Sequence, residues 1–271
     1  MKRSLIALSL LLMISTCAFG QKSGPPLRKD SGLIAVRNFR PVVAYAVSTG
    51  SGNVDPAYTV SVGKKAIYFS VTFYNTSGSS STCAEQIKKT DGTYRLIFAG
   101  AGAGAGAGIT ISSPILLNAG EKPSASVTAA GVNINFKVWE FDDPGNLFRV
   151  DKDPITTGDN IFYTVPAGKV AQLAAISAFP NIVGSSASVL VSNQASVTRT
   201  YIGHILPAGV TSTSLATRQT VSQAVAAGQN GNVFGAIGRP VMDEGEKIVI
   251  NSDGGEAGQW AYAMIILFDK P

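Results

Sequence analysis

From residue 58 onward the chain runs as short segments of alternating apolar and polar positions separated by Gly, Asn, Asp and Ser. KKAIYFSVTFY (64–74), TYRLIF (93–98), ITISSPILL (109–117), SASVTA (124–129) and NINFKVWEF (133–141) alternate with period two or are rich in β-branched residues, as half-buried strands are. AQLAAISAF (171–179), ASVLVSN (187–193), VTRTYIGHIL (197–206), KIVINS (247–252) and WAYAMIILF (260–268) repeat the pattern in the same order. Only TRQTVSQAVAAG (217–228) competes, as a short helix or turn. The expected class is all-β.

An internal repeat organises these strands. YTVSVGK (58–64) returns as YTVPAGK (163–169), 105 residues later. Each copy also ends alike, with a Pro, then Gly-Glu-Lys, then an alternating run with a Trp, then Phe-Asp-x-Pro, over 114–144 and 240–271. Closely spaced strands with Gly-rich turns predict sandwiches, and the repeat predicts two in tandem. The expected fold is therefore two antiparallel β-sandwich, jelly-roll-like domains, at 58–144 and 145–271, meeting near DDPGN (142–146). An arm at 21–57, containing GLIAVRNFRPVVAYAV (32–47), reads either as the first strand of domain one or as a strand lent to a neighbour's open edge.

Residues 1–20 carry Lys2 and Arg3, then an apolar run, then Ala18 and Gly20, the layout of a secretory signal cleaved before Gln21. The run is too short to span a bilayer as a helix, and no later stretch is long and apolar enough. A lipidated Cys17 is the other reading, although Thr16 directly before it fits poorly. The mature protein is expected outside the cytoplasm, secreted, periplasmic or at the cell surface. Without the signal, 20 Lys and Arg face 17 Asp and Glu, and no basic run interleaved with aromatics exists, so nucleic acid is not an expected partner. Cys83 is then the only cysteine, an unpaired thiol near a Ser/Thr-rich loop or half of an intermolecular bridge.

Most catalytic chemistries lack their parts. Gly100, Gly102 and Ala105 within AGAGAGAGAG (99–108) satisfy a loose dinucleotide pattern, but extended ITISSP follows instead of a helix whose N-terminus could face phosphates. The one histidine, His204, has no G-x-S-x-G elbow to serve, and a single His with a single mature Cys cannot build a usual zinc site. Carboxylates cluster in EFDD (140–143), DKD (151–153), DEGE (243–246) and DGGE (253–256), each beside Gly or Pro where Asp also suits a turn. Asp142, Asp143, Asp151 and Asp153 flank the junction and are the calcium candidates. Trp139 and Trp260 read as matching positions in the two final strands, as core residues or as sugar-stacking rings. The Gly-Ala run, from Ala99 and Gly100 to Gly108, reads as a loop or strand extension at one end of domain one. Extended, it would present a glycine face and an alanine face suited to close contact.

YTVPAGKVAQLAAISAFPN, then TRTYIGHILPAG, then GEKIVI and a final alternating strand, resembles the small β-sandwich module of tailed-phage virion and tail-fibre proteins over most of 160–271. Copy one shares only YTVSVGK and AGEK with it. The resemblance implies a structural or surface-binding part of a particle or fibre, with no enzymatic residues to carry over. A secretory signal and the insertion at 211–238 depart from that module. The combined expectation is a secreted, non-enzymatic structural or adhesive protein that self-associates or meets another surface protein. The alternative is a carbohydrate-binding or calcium-dependent surface module, with a glycosidase a distant third.

Overall fold

The structure is a computed structural model, and it describes residues 38–112, 115–178, 187–192, 199–207, 223–225, 231–233, 241–252 and 260–270. Residues 1–20, read as a signal, with Cys17, the DGGE carboxylates and most of 211–238 fall outside those residues.

The first half contributes β1 (Arg40–Val47), β2 (Gly52–Val54), β3 (Lys64–Asn75), β4 (Ser81–Lys88), β5 (Tyr94–Ala103), β6 (Gly108–Ile111), β7 (Ile115–Leu117), β8 (Lys122–Val127) and β9 (Val132–Asp142). One sheet orders them β1-β9-β3-β6, with β7 also on β3, and the facing sheet orders them β2-β8-β4-β5. If β6 and β7 are counted as one broken strand, the first sheet takes the first, eighth, third and sixth strands and the second takes the second, seventh, fourth and fifth. That order is an eight-stranded jelly roll. The described part of the arm forms the first strand of domain one, since β1 pairs along its length with β9 of its own sheet.

The second half contributes β10 (Leu147–Lys152), β11 (Gly158–Thr164), β12 (Lys169–Ala178), β13 (Ala187–Ser192), β14 (Arg199–Pro207), β15 (Gln223–Val225), β16 (Gly231–Val233), β17 (Val241–Met242), β18 (Lys247–Ser252) and β19 (Ala261–Asp269). Its sheets run β10-β19-β12-β16, with β17 on β12, and β11-β18-β13-β14-β15, which is the same order again with β15 added at one edge. Within the segment read as a helix or turn, residues 223–225 form β15, paired in parallel with β14.

The repeat holds down to single hydrogen bonds. Val60 N donates to Glu121 O and Gly120 N to Val60 O at 3.0 and 2.8 Å, and Val165 with Gly245 and Glu246 repeats both at 2.9 Å. The YTV turn and the Gly-Glu-Lys turn are therefore two sides of one backbone clasp. Gly120 and Gly245 both have positive φ, +85° and +76°, which explains the glycine in that motif. The Lys64–Asp142 ion pair recurs as Lys169–Asp269. Both third strands carry a bulge at the same place, between Tyr68 and Ser70 and between Leu173 and Ala175.

This register corrects the pairing of the tryptophans. Trp139 lies opposite Ile67, and the residue lying opposite the equivalent Gln172 is Ile266. Matched positions in the final strands are thus 127 apart, so Trp260 corresponds to Asn133 and not to Trp139.

Each jelly roll has its own core. Tyr68, Phe73, Ile97, Ile134 and Phe136 fill the first, and Ile155, Leu173, Ile248, Ile250 and Ile265 fill the second. The first core also encloses Glu85 beside Tyr68, whose hydroxyl is pushed well above its ordinary pKa by burial and then by that carboxylate. Cys83 is a second correction: it lies in β4, fully buried, and burial raises its thiol pKa. Only a thiolate reacts readily, so the native protein should resist thiol reagents until denatured. Titration with an aromatic disulfide in buffer and in denaturant measures this, and fast native reaction would place Cys83 outside the core.

Candidate interaction face and the domain junction

The carboxylates singled out from sequence lie in or beside the strands that meet at the domain junction, each already paired with a basic side chain. Asp142 accepts from Lys64 and from Asn38 Nδ2 (2.6 Å). Asp143 pairs with Lys65 at 3.3 Å and accepts from Gly145 N at 2.8 Å. Asp151 pairs with Arg149 at 2.7 Å and with Lys89 at 3.3 Å, and Asp153 pairs with Arg95. Every proposed calcium ligand thus has a basic partner within the chain, and among the described residues no three His, Cys, Asp or Glu gather as a metal site. His204 lies in β14 opposite Ser188.

Sequence reasoning missed the centre of this junction, Arg149. It is buried, and its guanidinium forks onto Glu121, with Nη2 to Oε1 at 2.7 Å and Nη1 to Oε2 at 3.0 Å. Nη1 also donates to the carbonyl of Leu116 at 2.6 Å, and Nε to Asp151 at 2.7 Å. Such a bidentate pair fixes orientation as well as charge. Around it Leu116 and Phe141 of the first half pack on Leu147 and Ile266 of the second. Trp260 reaches into the first core, and its Nε1 donates to Leu96 O at 2.7 Å. Trp139, half-buried, stacks on Phe39 with centroids 4.8 Å apart. Neither indole therefore stands free as a sugar platform.

The geometry also follows from alternation. In β19, Tyr262, Met264, Ile266 and Phe268 point to the first domain while Ala261, Ala263 and Ile265 point into the second core. The outer face of the β10-β19-β12 sheet is thereby covered by domain one. The same alternation operates on β1 and β9, but there the outer face is open. Val43 is 95% exposed, Tyr45 53% and Val47 45%, and Tyr74 of β3 is 51% exposed. Register places Val43 opposite Lys137, Tyr45 opposite Asn135, and Val47 opposite Asn133. Tyr45 Oη donates to Asn133 Oδ1 at 2.6 Å, and the Thr72 and Thr110 hydroxyls lie 2.9 Å apart on the next two strands. This is an apolar and amide surface whose β1–β9 rows carry one charge, Lys137.

The Gly-Ala run closes one end of this domain. Its first half, including Ala99 and Gly100, extends β5, and Gly108 opens β6, so the strand-extension reading holds for both ends. Between them Ala107 N donates to Gly104 O at 3.0 Å, and Gly106 sits at φ +69°. Asn75 pins the turn from inside, with Nδ2 donating to Ala103 O at 2.9 Å.

Two carboxylates of domain one, half-buried Asp55 and buried Glu140, are held low by specific partners. Burial alone would raise Asp55, but hydrogen bonds from Lys88 (2.8 Å), Ser124 (2.8 Å) and Tyr94 (3.0 Å) outweigh it and hold the group below its ordinary pKa. Glu140 is likewise held low, by Arg40 and Tyr58 against burial. A depressed folded pKa contributes stability above the unfolded value, about 4, that is lost as pH falls through the folded value. The melting temperature should therefore be flat from about pH 7 to 5 and fall below about 4. Asp55→Asn should melt lower at neutral pH and converge on wild type in acid; parallel curves would remove Asp55 from this role.

No protein-family profile and no curated protein matches the chain. Among solved structures it is similar to the STIV MCP at 7% identity, covering 86% of this chain and 97% of that one with a TM-score of 0.35. It is similar to PNGF-II at 9% identity, covering 86% and 66% with a TM-score of 0.36. It is also similar to the tandem CBM22-1-CBM22-2 domain of Paenibacillus barcinonensis Xyn10C at 8% identity, covering 87% and 93% with a TM-score of 0.26. In the atomic structure of Sulfolobus Turreted Icosahedral Virus the chain spans 59% of the matched protein's length, at a TM-score of 0.28. Likeness at this level identifies no relative, and the jelly-roll description rests on the strand order itself.

Proposed function

We propose that this is a secreted, non-enzymatic structural or adhesive protein, a subunit of an extracellular assembly, fibre or virion-like particle, that works through a sheet face. The observation that carries this reading is the open outer face of β1 and β9, with Val43, Tyr45 and Val47 exposed on one edge strand. Exposed apolar side chains grouped on a flat surface mark interaction sites, where scattered ones do not. A buried bidentate ion pair and an apolar cluster join the two domains. A rigid two-domain block is suited to repeated contact.

Negative-stain microscopy of the purified protein tests the reading. Rings, fibres or sheets at high concentration support it, and a uniform monomer overturns it. One observation favours a carbohydrate-binding alternative: Tyr45 and Tyr74 flank Asn133 on the open face, two exposed rings around an amide. Monomeric particles with glycan-array signals abolished by Tyr45→Ala would establish that alternative instead.

A further inference from the structure

Both halves of the contact that joins the two domains recur, uncovered, on the outside of the molecule. The domain contact has a donating side on β10, where Leu147 and Arg149 project, and a receiving side around Leu116 and Glu121. Repeat register gives each a counterpart. Arg149 lies opposite Met264, which corresponds to Lys137, and Val43 lies opposite Lys137, so Val43 stands where Arg149 stands. The Gly-Glu-Lys clasp matches Glu121 to Glu246, which places Val241 at the position of Leu116. Leu116 is fully buried by the second domain, and Val241 is 62% exposed. Val43, the counterpart of buried Arg149, is 95% exposed.

We infer that a second copy of this chain occupies the open face, head to tail: the Val43 face of one copy seats on the Val241 and Glu246 surface of the next, in imitation of the contact between its own two domains. This rests on the assembly reading and specifies its partner and its surfaces. Charge supports the pairing. In the internal contact Glu121 Oε2 accepts from Asn118 N while both of its oxygens meet Arg149. Glu246 makes the same bond, Oε2 to Asp243 N at 2.8 Å. On the open face the cation has moved one strand over, to Lys137 beside Val43. The new contact is also continuous with the old one, because Trp139 and Phe141 at the covered end share the outer face of β9 with Lys137 and Asn135. A contact between two different surfaces is heterologous, so it propagates to a closed ring or an open filament and does not stop at a dimer.

Sedimentation velocity over a concentration series tests this with Val43→Asp and Val241→Asp, both at exposed positions that leave the cores intact. Wild type should associate beyond a dimer. Each variant alone should be a folded monomer by circular dichroism, with association weakened at least tenfold. An equimolar mixture should yield a 1:1 heterodimer and nothing larger, because each variant retains one intact surface. Lys137→Glu should also weaken association. If wild type assembles and both variants still assemble, or if Val241→Asp dimerises by itself, the head-to-tail contact is overturned while the assembly function stands. A monomeric wild type overturns both.

Discussion

Arg149→Met should destabilise the protein by about 3–5 kcal/mol, the usual consequence of removing one member of a buried ion pair, and lower the melting temperature by roughly 10 °C. The cause is what remains. Glu121 stays 4% exposed, with its Oε2 on Asn118 N and no guanidinium, and the Leu116 carbonyl loses its donor. A methionine of similar length preserves much of the packing, so the loss reports the charge. Combining it with Glu121→Gln should recover at least about 1 kcal/mol, since the buried carboxylate disappears with its partner. Additive losses in this double-mutant cycle, measured by chemical denaturation, would show that the two groups do not act as a pair.

Trp260→Ala should cost about 3–5 kcal/mol, in the range of large aromatic truncations in a core. The ring belongs by chain position to the second domain but packs with Tyr262 into the core of the first, and its Nε1 donates to Leu96 O. Trp260→Phe keeps most of the apolar volume and should cost about 1 kcal/mol beyond the lost bulk, for the hydrogen bond. The protein has two tryptophans, so Trp139→Phe leaves Trp260 as the sole fluorescent reporter of the junction. Unfolding followed by that signal should coincide with circular dichroism as a single transition. A fluorescence change at lower denaturant would mean that the domains part before they unfold.

What the chain pattern revealed and what it concealed have physical causes. Strands whose inward positions are all apolar, such as β3 with Ala66, Tyr68, Val71 and Phe73, were legible from alternation. The strand β4 was not, because two of its four inward residues are Ser81 and Glu85, and the Ser/Thr-rich sequence reads as loop. Cys83 was misplaced with it. The Gly-Glu-Lys and YTV anchors showed the repeat, but not that they bond to each other from Val60 to Gly120 in one copy and from Val165 to Gly245 in the other. Aligning the copies by composition put the tryptophans together, whereas pairing register separates them.

The junction was harder to read for a similar reason. Asp142, Asp143, Asp151 and Asp153 were visible as acids near a boundary, but their basic partners Lys64, Lys65, Lys89 and Arg95 lie far off in the sequence, and Arg149, two residues from Asp151, gave no sign of its second partner Glu121. No local pattern assigns a carboxylate to a cation tens of residues away. The open face was concealed in the arm, where Val43, Tyr45 and Val47 look like an ordinary buried stripe until Ala44 is seen to be the residue facing the core.

The most direct test of a working sheet face is the accessibility of Val43→Cys to a thiol-specific label as the protein is concentrated. In protein made without residues 1–20, which carry Cys17, the other thiol is Cys83, buried and expected to stay silent, so the signal comes from the introduced thiol alone. Labelling should be fast in dilute protein and slow at least tenfold at concentrations where larger species form. Labelling at one rate across the whole range, with the face exposed in every species present, would contradict it.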